Sequence, residues 1–247
     1  MTPDTLIECF EDAARAVRAA VAKIDPTARR ARTDVPGQYA LDVIADGVAL
    51  ELLRKLPVRI VSEESGVHER AGANVTVVLD PVDGSTNCSR GLSYWAISLC
   101  AIDAAGPLAA LVVNQATGER TSAIRGHGAL REGAAIRPSG VTRIEDAVVA
   151  ISGFPEVRLP WKQFRALGCA SLMLCDVAAG GLDGYVDSAP VHAPWDYLGG
   201  YLACLEAGAI VREANGDELV TDEPVRRQVI GGATVALADA LMPVKAG

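Results

Sequence analysis

The chain is short of aromatic residues, methionine and histidine. Aromatics make up 4% of its 247 residues, beside 3 Met and 3 His. With 50% of the residues hydrophobic, the core must be built from Ala, Val, Leu and Ile, and the length suffices for one large domain or two closely packed smaller ones. His68, His127 and His192 lie far apart without the spacing of a metal site, which predicts structural or surface roles. No two of the 6 cysteines form Cys-x-x-Cys, and their apolar neighbours predict buried free thiols in a reducing cytoplasm. Basic charge is scarce too. Lys and Arg number 23 against 31 Asp and Glu, a net charge of −8 that argues against non-specific nucleic-acid binding and against an anionic membrane surface. Met1-Thr2-Pro3-Asp4 lacks the basic region of a secretory leader, and the longest uncharged run, 104–118, is too short and interrupted to span a bilayer. Gly-Lys-Ser/Thr phosphate loops, Gly-x-Ser-x-Gly elbows and Gly-x-Gly-x-x-Gly fingerprints are absent, so kinase, serine-hydrolase and dinucleotide readings have no support.

What is present centres on residues 75–87. Val75-Thr76-Val77-Val78-Leu79 reads as a buried strand that stops at Asp80. Pro81, which has no N–H to donate, is expected to end the ladder. Asp83 follows, then Gly84-Ser85-Thr86-Asn87 as a turn. Two carboxylates at ~4 Å repel by about 4 kcal/mol at an effective dielectric of ~20, so a cation belongs between them, and Mg²⁺ suits oxygen ligands. Gly84 allows close backbone approach, and the N–H groups after it can face an anion. A cation site beside an anion site is what a metal-assisted phosphatase needs.

Along the chain, Leu6, Ile7, Phe10, Ala14, Val17, Val21 and Ile24 recur at helical spacing until Asp25-Pro26. Residues 27–38 read as a mobile surface loop whose Arg29, Arg30 and Arg32 are solvated, with shielding of a site as the alternative. A helix is expected over 40–56, where Asp42 and Asp46 share a face. A strand over 58–62 ends in Glu63-Glu64-Ser65-Gly66. Residues 95–102 and 108–114 predict an antiparallel meander. Pro138-Ser139-Gly140 marks the expected boundary between an α+β half, 1–138, with the antiparallel sheet and metal motifs, and an α/β half, 139–247, supplying Asp196 and the substrate pocket. In the second half, strands are expected over 147–152, 184–187, 209–212 and 229–233. Helices are expected over 161–167, 171–180, 195–207 and 235–241. The fold class is α+β followed by α/β.

Asp80-Pro81-Val82-Asp83-Gly84-Ser85-Thr86-Asn87, the upstream Glu63-Glu64-Ser65-Gly66 and the downstream Trp195-Asp196 resemble the signatures of the inositol monophosphatase family, in the lithium-sensitive, Mg²⁺-dependent phosphatase superfamily. Leu41-Asp42-x-x-Ala45-Asp46 together with 60–66 is similar to archaeal-type members, several of which accept both inositol phosphate and fructose bisphosphate. The resemblance covers nearly the whole chain. It implies a layered αβαβα sandwich, usually a homodimer, with two or three Mg²⁺ ions. It implies that Glu64, Asp80 and the Val82 carbonyl hold the first ion, and that Asp80, Asp83 and Asp196 hold the second. Glu64, with Glu63 close by, would face a looser third. Asp46 and Ser85 would orient the attacking water, and the Gly84 and Ser85 N–H groups, with Thr86 beside them, would take the phosphate. Gly168, Cys169 and Ala170 match a Gly-x-Ala segment lining the substrate pocket, and Asp187 matches an acid that accepts bonds from substrate hydroxyls. The chain departs from the pattern at Cys88, where an aromatic is common, at Ile44, and in two extra residues between Asp187 and Asp196.

The expected activity is therefore phosphomonoester hydrolysis of a small polyol or sugar phosphate by in-line attack of metal-activated water. Inositol 1-phosphate comes first, and fructose 1,6-bisphosphate is the alternative. An aspartyl-phosphate enzyme usually places its acid/base two residues from the nucleophile, whereas Asp80 and Asp83 are three apart. A non-catalytic metal or phosphate sensor is the third reading.

Overall fold

Thr2 and Pro3 start the first helix, α1 (Pro3–Ala22), with the Thr5 N–H donating to the Thr2 hydroxyl. Its Leu6, Phe10, Ala13, Ala14, Val17 and Val21 form one buried stripe. The helix packs beside α2 (Ala40–Leu53), which stops three residues short of the expected 56. The computed structural model describes residues 1–244 and lays this pair on a large sheet.

That sheet is formed by β1 (Arg59–Ser62), β2 (Gly66–His68) and β3 (Thr76–Asp83), then, after α3 (Ser85–Arg90), by β4 (Ala96–Asp103), β5 (Gly106–Asn114), β6 (Arg120–Ile124), β7 (Gly128–Arg131) and β8 (Ala134–Ala135). The strand order is β2-β1-β3-β4-β5-β6-β7-β8. Only the β1–β3 pair is parallel, so both strands reach the same sheet end with their carboxyl termini. A second sheet has the order β10-β9-β11-β13-β12, from β9 (Val148–Ser152), β10 (Gln163–Arg165), β11 (Gly184–Asp187), β12 (Ile210–Glu213) and β13 (Val229–Gly232). Between the sheets lie α4 (Ala170–Ala178) and α5 (Pro194–Ala207), and α6 (Val235–Leu241) covers the outer face of the second sheet. The layers are thus helices, sheet, helices, sheet, helix, an α+β sandwich of the αβαβα kind. One hydrophobic cluster joins Val78, Cys100 and Val112 of the first sheet to Leu174 and Leu198 of the middle helices and to Ala150 and Tyr185 of the second sheet. Among the described residues no helix is long and apolar enough to cross a membrane.

Two expectations are corrected. Residues 161–167 do not form a helix. Gln163, Phe164 and Arg165 pair in parallel with Val148, Val149 and Ala150. Seven residues gain too little from isolated helix formation, whereas the edge of β9 offers a ready ladder. Pro81 does not end its strand either. The ladder to β4 slips between Asp80 and Asp83, and this bulge accommodates the missing N–H while β3 continues to Asp83.

The middle layer is tightly built at Gly200, where an added Cβ would lie 2.5 Å from the Leu174 Cβ and 2.9 Å from the Ser171 carbonyl. Overpacking of this kind costs about 1–3 kcal/mol, and about 2–4 °C of melting temperature accompanies each kcal/mol in a chain of this size. Gly200→Ala is expected to lower the thermal midpoint measured by circular dichroism by several degrees; an unchanged midpoint would show that α4 and α5 are not in contact there.

Candidate active site

The parallel run of β1 and β3 delivers acids to one sheet end, and α5 brings another from the opposite side. Ligand oxygens of Glu63, Asp80 and Asp196 lie within 4.8 Å of one another. Each acid is fixed locally. The Glu63 N–H donates to the Leu79 carbonyl at 3.1 Å, extending the ladder one residue past β1. Asp80 Oδ1 accepts from the Val82 N–H at 2.8 Å, and Asp196 Oδ2 accepts from the Ala193 N–H at 2.7 Å, which caps α5. Asp83 Oδ2 takes the Ser171 N–H at 2.7 Å, the Ser171 hydroxyl at 2.6 Å and the Cys169 thiol at 3.1 Å.

This density of acid is costly without a counter-charge. Asp80 is held well above the usual carboxylate range by burial and by the charges of Glu63, Asp83 and Asp196. Asp196 is pushed up to about 6, chiefly by burial, against the lowering effect of His192. Glu63 is pushed up to about 8 by loss of solvation at its carboxylate and by the charges of Asp196 and Glu64. The residue as a whole is exposed, so the repulsion is the cause that its open position sustains.

The two glutamates are exchanged relative to the expected order. Glu63, not Glu64, meets Asp80 and Asp196. Glu64 accepts from Gln38 Nε2 at 2.5 Å and feels the charges of Asp42 and Asp46, and burial leads its rise to about 7. Neighbouring side chains diverge at a strand end, and which of the two turns inward depends on the register. Asp42 and Asp46 are 1% and 4% exposed, so their shared face looks into the site and not into water. Asp46 accepts from the Ser62 hydroxyl at 2.5 Å. Ser85, expected beside Asp46, donates to the Val82 carbonyl at 2.9 Å and lies next to Asp42, whose pKa burial raises to about 6. Asp42 Oδ1 is buried without a partner.

The turn after Asp83 is closely confined. Gly84 has φ +85°, and an added Cβ would stand 2.9 Å from the Gly168 carbonyl and 3.3 Å from the Cys169 Cβ, so only glycine fits. Helix geometry leaves the N–H groups of the first turn of α3 free. Asn87 clamps the turn by donating to the Tyr94 and Leu167 carbonyls, each at 2.7 Å, and the Tyr39 hydroxyl meets the Thr86 hydroxyl at 3.3 Å. The structure therefore brings Gly84, Ser85 and Thr86 together with Gly168, Cys169 and Ala170.

Asp187 is not open to a substrate. It is 0% exposed, with Oδ1 accepting from the Tyr185 hydroxyl at 2.5 Å and contacting His192 Nδ1 at 2.8 Å, and Oδ2 accepting from the Val229 N–H at 2.9 Å. This corrects its expected role with substrate hydroxyls, and it gives His192 the structural role expected of it, held against a buried acid. Burial opposes the charge on His192, but the hydrogen bond and charge of Asp187, with Asp196 and Asp83, raise it to about 9. Two of the three loop arginines are not simply solvated, while Arg30 is exposed as expected. Arg29 donates to the Ile24 and Val21 carbonyls at the end of α1, and Arg32 stacks 3.4 Å from the Tyr39 ring centroid. Sequence reasoning missed Ser62, Ser171, Gln38 and Arg226, because hydroxyls, amides and a lone arginine carry no pattern until the fold assembles them.

A donor set made only of hard oxygens, with acids driven toward their neutral forms and one buried carboxylate oxygen unpaired, fits a divalent cation of the Mg²⁺ type. Comparison with known proteins gives the setting. A family model described as the inositol monophosphatase family matches residues 34–243. The fructose-1,6-bisphosphatase/inositol-1-monophosphatase of Methanocaldococcus jannaschii is 34% identical over 188 residues, covering 73% of this chain and 73% of its own length. The Nus factor SuhB of Escherichia coli is 32% identical over 193 residues, covering 71% of each. A solved structure of a hypothetical protein from Pyrococcus horikoshii, with similarities to inositol-1 monophosphatase, has a TM-score of 0.89 at 24% identity and covers 100% of both chains, a likeness of fold.

The raised acids set a pH dependence. A carboxyl whose folded pKa exceeds its unfolded value holds its proton more tightly when folded, so its stabilisation is present below the unfolded pKa, ~4, and is lost as pH rises through the folded value. For Glu63, Glu64, Asp42 and Asp196 the folded values run from about 6 to about 8. The metal-free protein in chelator is expected to melt at progressively lower temperature between pH 5 and 8. Mg²⁺ at one fixed concentration, a hundredfold above its dissociation constant at pH 8, restores about 2.7 kcal/mol there and less at pH 5, where protons compete for the same carboxylates. A Mg²⁺ effect that does not grow with pH contradicts this.

Proposed function

The chain belongs to the inositol monophosphatase family, and from that premise we propose that this phosphoric monoester hydrolase uses Mg²⁺ to cleave a small polyol or sugar phosphate, with inositol 1-phosphate the first substrate and fructose 1,6-bisphosphate the second. The observation that carries the reading is the convergence of Glu63, Asp80 and Asp196 beside the confined Gly84 turn. Glu63, Asp80, Asp83, Asp196 and the Val82 carbonyl would hold two ions, and Glu64 with Asp42 would face a third. When bound, the ions supply a water of lowered pKa and a counter-charge for the leaving alkoxide.

The protein's own groups do the positioning. The Gly84, Ser85 and Thr86 N–H groups grip the phosphoryl oxygens, as free amides at a turn do. Asp46, steadied by Ser62, and Ser85, steadied by the Val82 carbonyl, orient the attacking water. Ser171 and the Cys169 thiol hold Asp83 in one rotamer, so the site pays little reorganisation when substrate arrives. Gly168, Cys169 and Ala170 wall the substrate side. Six free cysteines, five of them buried, support a place in the reducing cytoplasm, and we include a homodimer in the proposal on the family resemblance.

The test is a phosphate-release screen with Mg²⁺ over inositol 1-phosphate, fructose 1,6-bisphosphate, histidinol phosphate and nucleotide 3′-phosphates, run in parallel on Asp83→Asn. The wild type is expected to release phosphate from a polyol or sugar ester only with the metal. Asp83→Asn keeps the thermal midpoint but loses at least about a hundredfold in rate, because loss of mere outer partners of a metal already costs 10–100-fold. Metal-independent release, or near-normal turnover by the variant, contradicts the assignment.

A further inference from the structure

A cavity of about 250 Å³ lies behind α3 and shares no lining residue with the acidic centre. Its walls include Arg18 on α1, Arg29 in the following loop, Leu92 and Ser93 after α3, and Trp95 at the start of the next strand. No acid lines it, although Asp and Glu outnumber Lys and Arg in the chain, 31 to 23.

Both arginines are anchored by neutral groups. Arg18 Nη2 donates to the Ala116 carbonyl at 3.3 Å. Arg29 donates from Nε to the Ile24 carbonyl and from Nη2 to the Val21 carbonyl, each at 3.3 Å. Arg18 and Val21 are three apart on α1 and so share a face, which sets the two guanidiniums on one side of the helix end. Among the described residues neither is paired with a carboxylate. The arginines on the other side of Arg18 differ: Arg15 pairs with Glu11 and Asp12, and Arg120 with Glu11 and Glu132. Capping the end of α1 accounts for the carbonyl contacts of Arg29, but it leaves most of the available donors over. A guanidinium has five N–H groups, of which Arg18 uses one and Arg29 two. Planar forks of this kind match the oxygens of phosphate and carboxylate. Leu92, 53% exposed, and Trp95 add apolar surface for a short carbon body. The volume is that of about eight waters, room for one oxyanion and a few carbons.

The wall after α3 is tied to the catalytic side. The Leu92 N–H donates to the Asn87 carbonyl at 2.9 Å and the Gly91 N–H to the Cys88 carbonyl at 3.1 Å. Asn87 is the residue that clamps the turn after Asp83 through the Tyr94 and Leu167 carbonyls. A ligand bridging α1 and residues 91–93 would thus restrain α3 from the end opposite Gly84.

We infer that this cavity is a second ligand site, in which Arg18 and Arg29 hold the phosphate or carboxylate group of a small metabolite, and that its occupancy restrains α3 and the turn after Asp83. By linkage, a ligand that orders that turn tightens the remote anion in the same proportion. The inference goes beyond the hydrolase reading and stands without it.

The test uses the full chain in chelator, where the metal-free acids repel anions from the catalytic centre. Methylphosphonate is the phosphoryl probe and succinate the carboxylate probe. Calorimetry on the wild type is expected to show one-to-one binding of at least one of them, and the one that binds distinguishes the two sources of the anion. Arg18→Gln and Arg29→Gln are each expected to weaken that binding about tenfold or more, the loss that follows removal of a hydrogen bond to a charged group. Arg29 also caps α1, so Arg18→Gln, at an exposed position, decides the matter if Arg29→Gln lowers the thermal midpoint. Binding of neither probe, or binding that Arg18→Gln leaves unchanged, overturns the site. Amide hydrogen exchange over residues 85–92 is the second readout. Bound probe is expected to slow it in the wild type, and to slow it less in Arg18→Gln at the same probe concentration. Probe bound with exchange unchanged overturns the coupling to α3.

Discussion

Mutual repulsion of carboxylates is the constraint around which this molecule is arranged. Three ligand oxygens within 4.8 Å of one another cost about 3–4 kcal/mol per ionised pair at an effective dielectric of ~20. A chain of net charge −8 has no surplus of cations to relieve them. The acids are nevertheless held in place by backbone amides that suit the ionised form: Val82 for Asp80, Ala193 for Asp196 and Ser171 for Asp83. The fold thus stabilises each carboxylate locally while pressing them together, which makes sense for a site completed by a divalent cation and an anionic ester.

The architecture supplies the convergence. Parallel pairing of β1 and β3 puts Glu63 and Asp80 at one sheet end, and the bulge at Pro81 lets the strand run on until Asp83 turns toward α4. The α5 helix crosses the same sheet so closely that Gly199 admits no Cβ, which would come within 2.8 Å of both the Ser98 hydroxyl and a Val112 methyl, and that close approach carries Asp196 to the sheet end. Farther out, a polar network ties the middle layer to the first sheet. Asp176 on α4 accepts from the Tyr94 hydroxyl at 2.7 Å and from Arg131 at 2.9 Å. Because Tyr94 also offers its carbonyl to Asn87, the rigidity of that network extends into the turn after Asp83.

Much of this was legible in the sequence, for identifiable reasons. The apolar run before Asp80, the glycine after Asp83 and the helical stripe of α1 each follow from a periodicity or a backbone requirement that a single segment carries. The unreadable parts depend on distant partners. Residues 161–167 looked helical because nothing local announces the edge of β9 that captures them. Glu63 and Glu64 are adjacent acids whose inward and outward assignment is fixed only by the ladder to β3. Asp187 resembled a substrate contact until Tyr185, His192 and Val229 closed over it, whereas Asp42 and Asp46, four residues apart on α2, share a face that is buried as their spacing beside the other acids suggested.

The central claim is that the acids gathered at the ends of β1 and β3 and the start of α5 hold divalent cations in common. Anomalous diffraction from crystals grown with Mn²⁺, which takes the same oxygen ligands, tests it most directly. The account predicts one peak shared by Glu63 and Asp80 and another reaching Asp83 and Asp196, all within bonding distance of carboxylate oxygens. Peaks confined to other surfaces, with Glu63, Asp80 and Asp196 left without metal at saturating Mn²⁺, would contradict it.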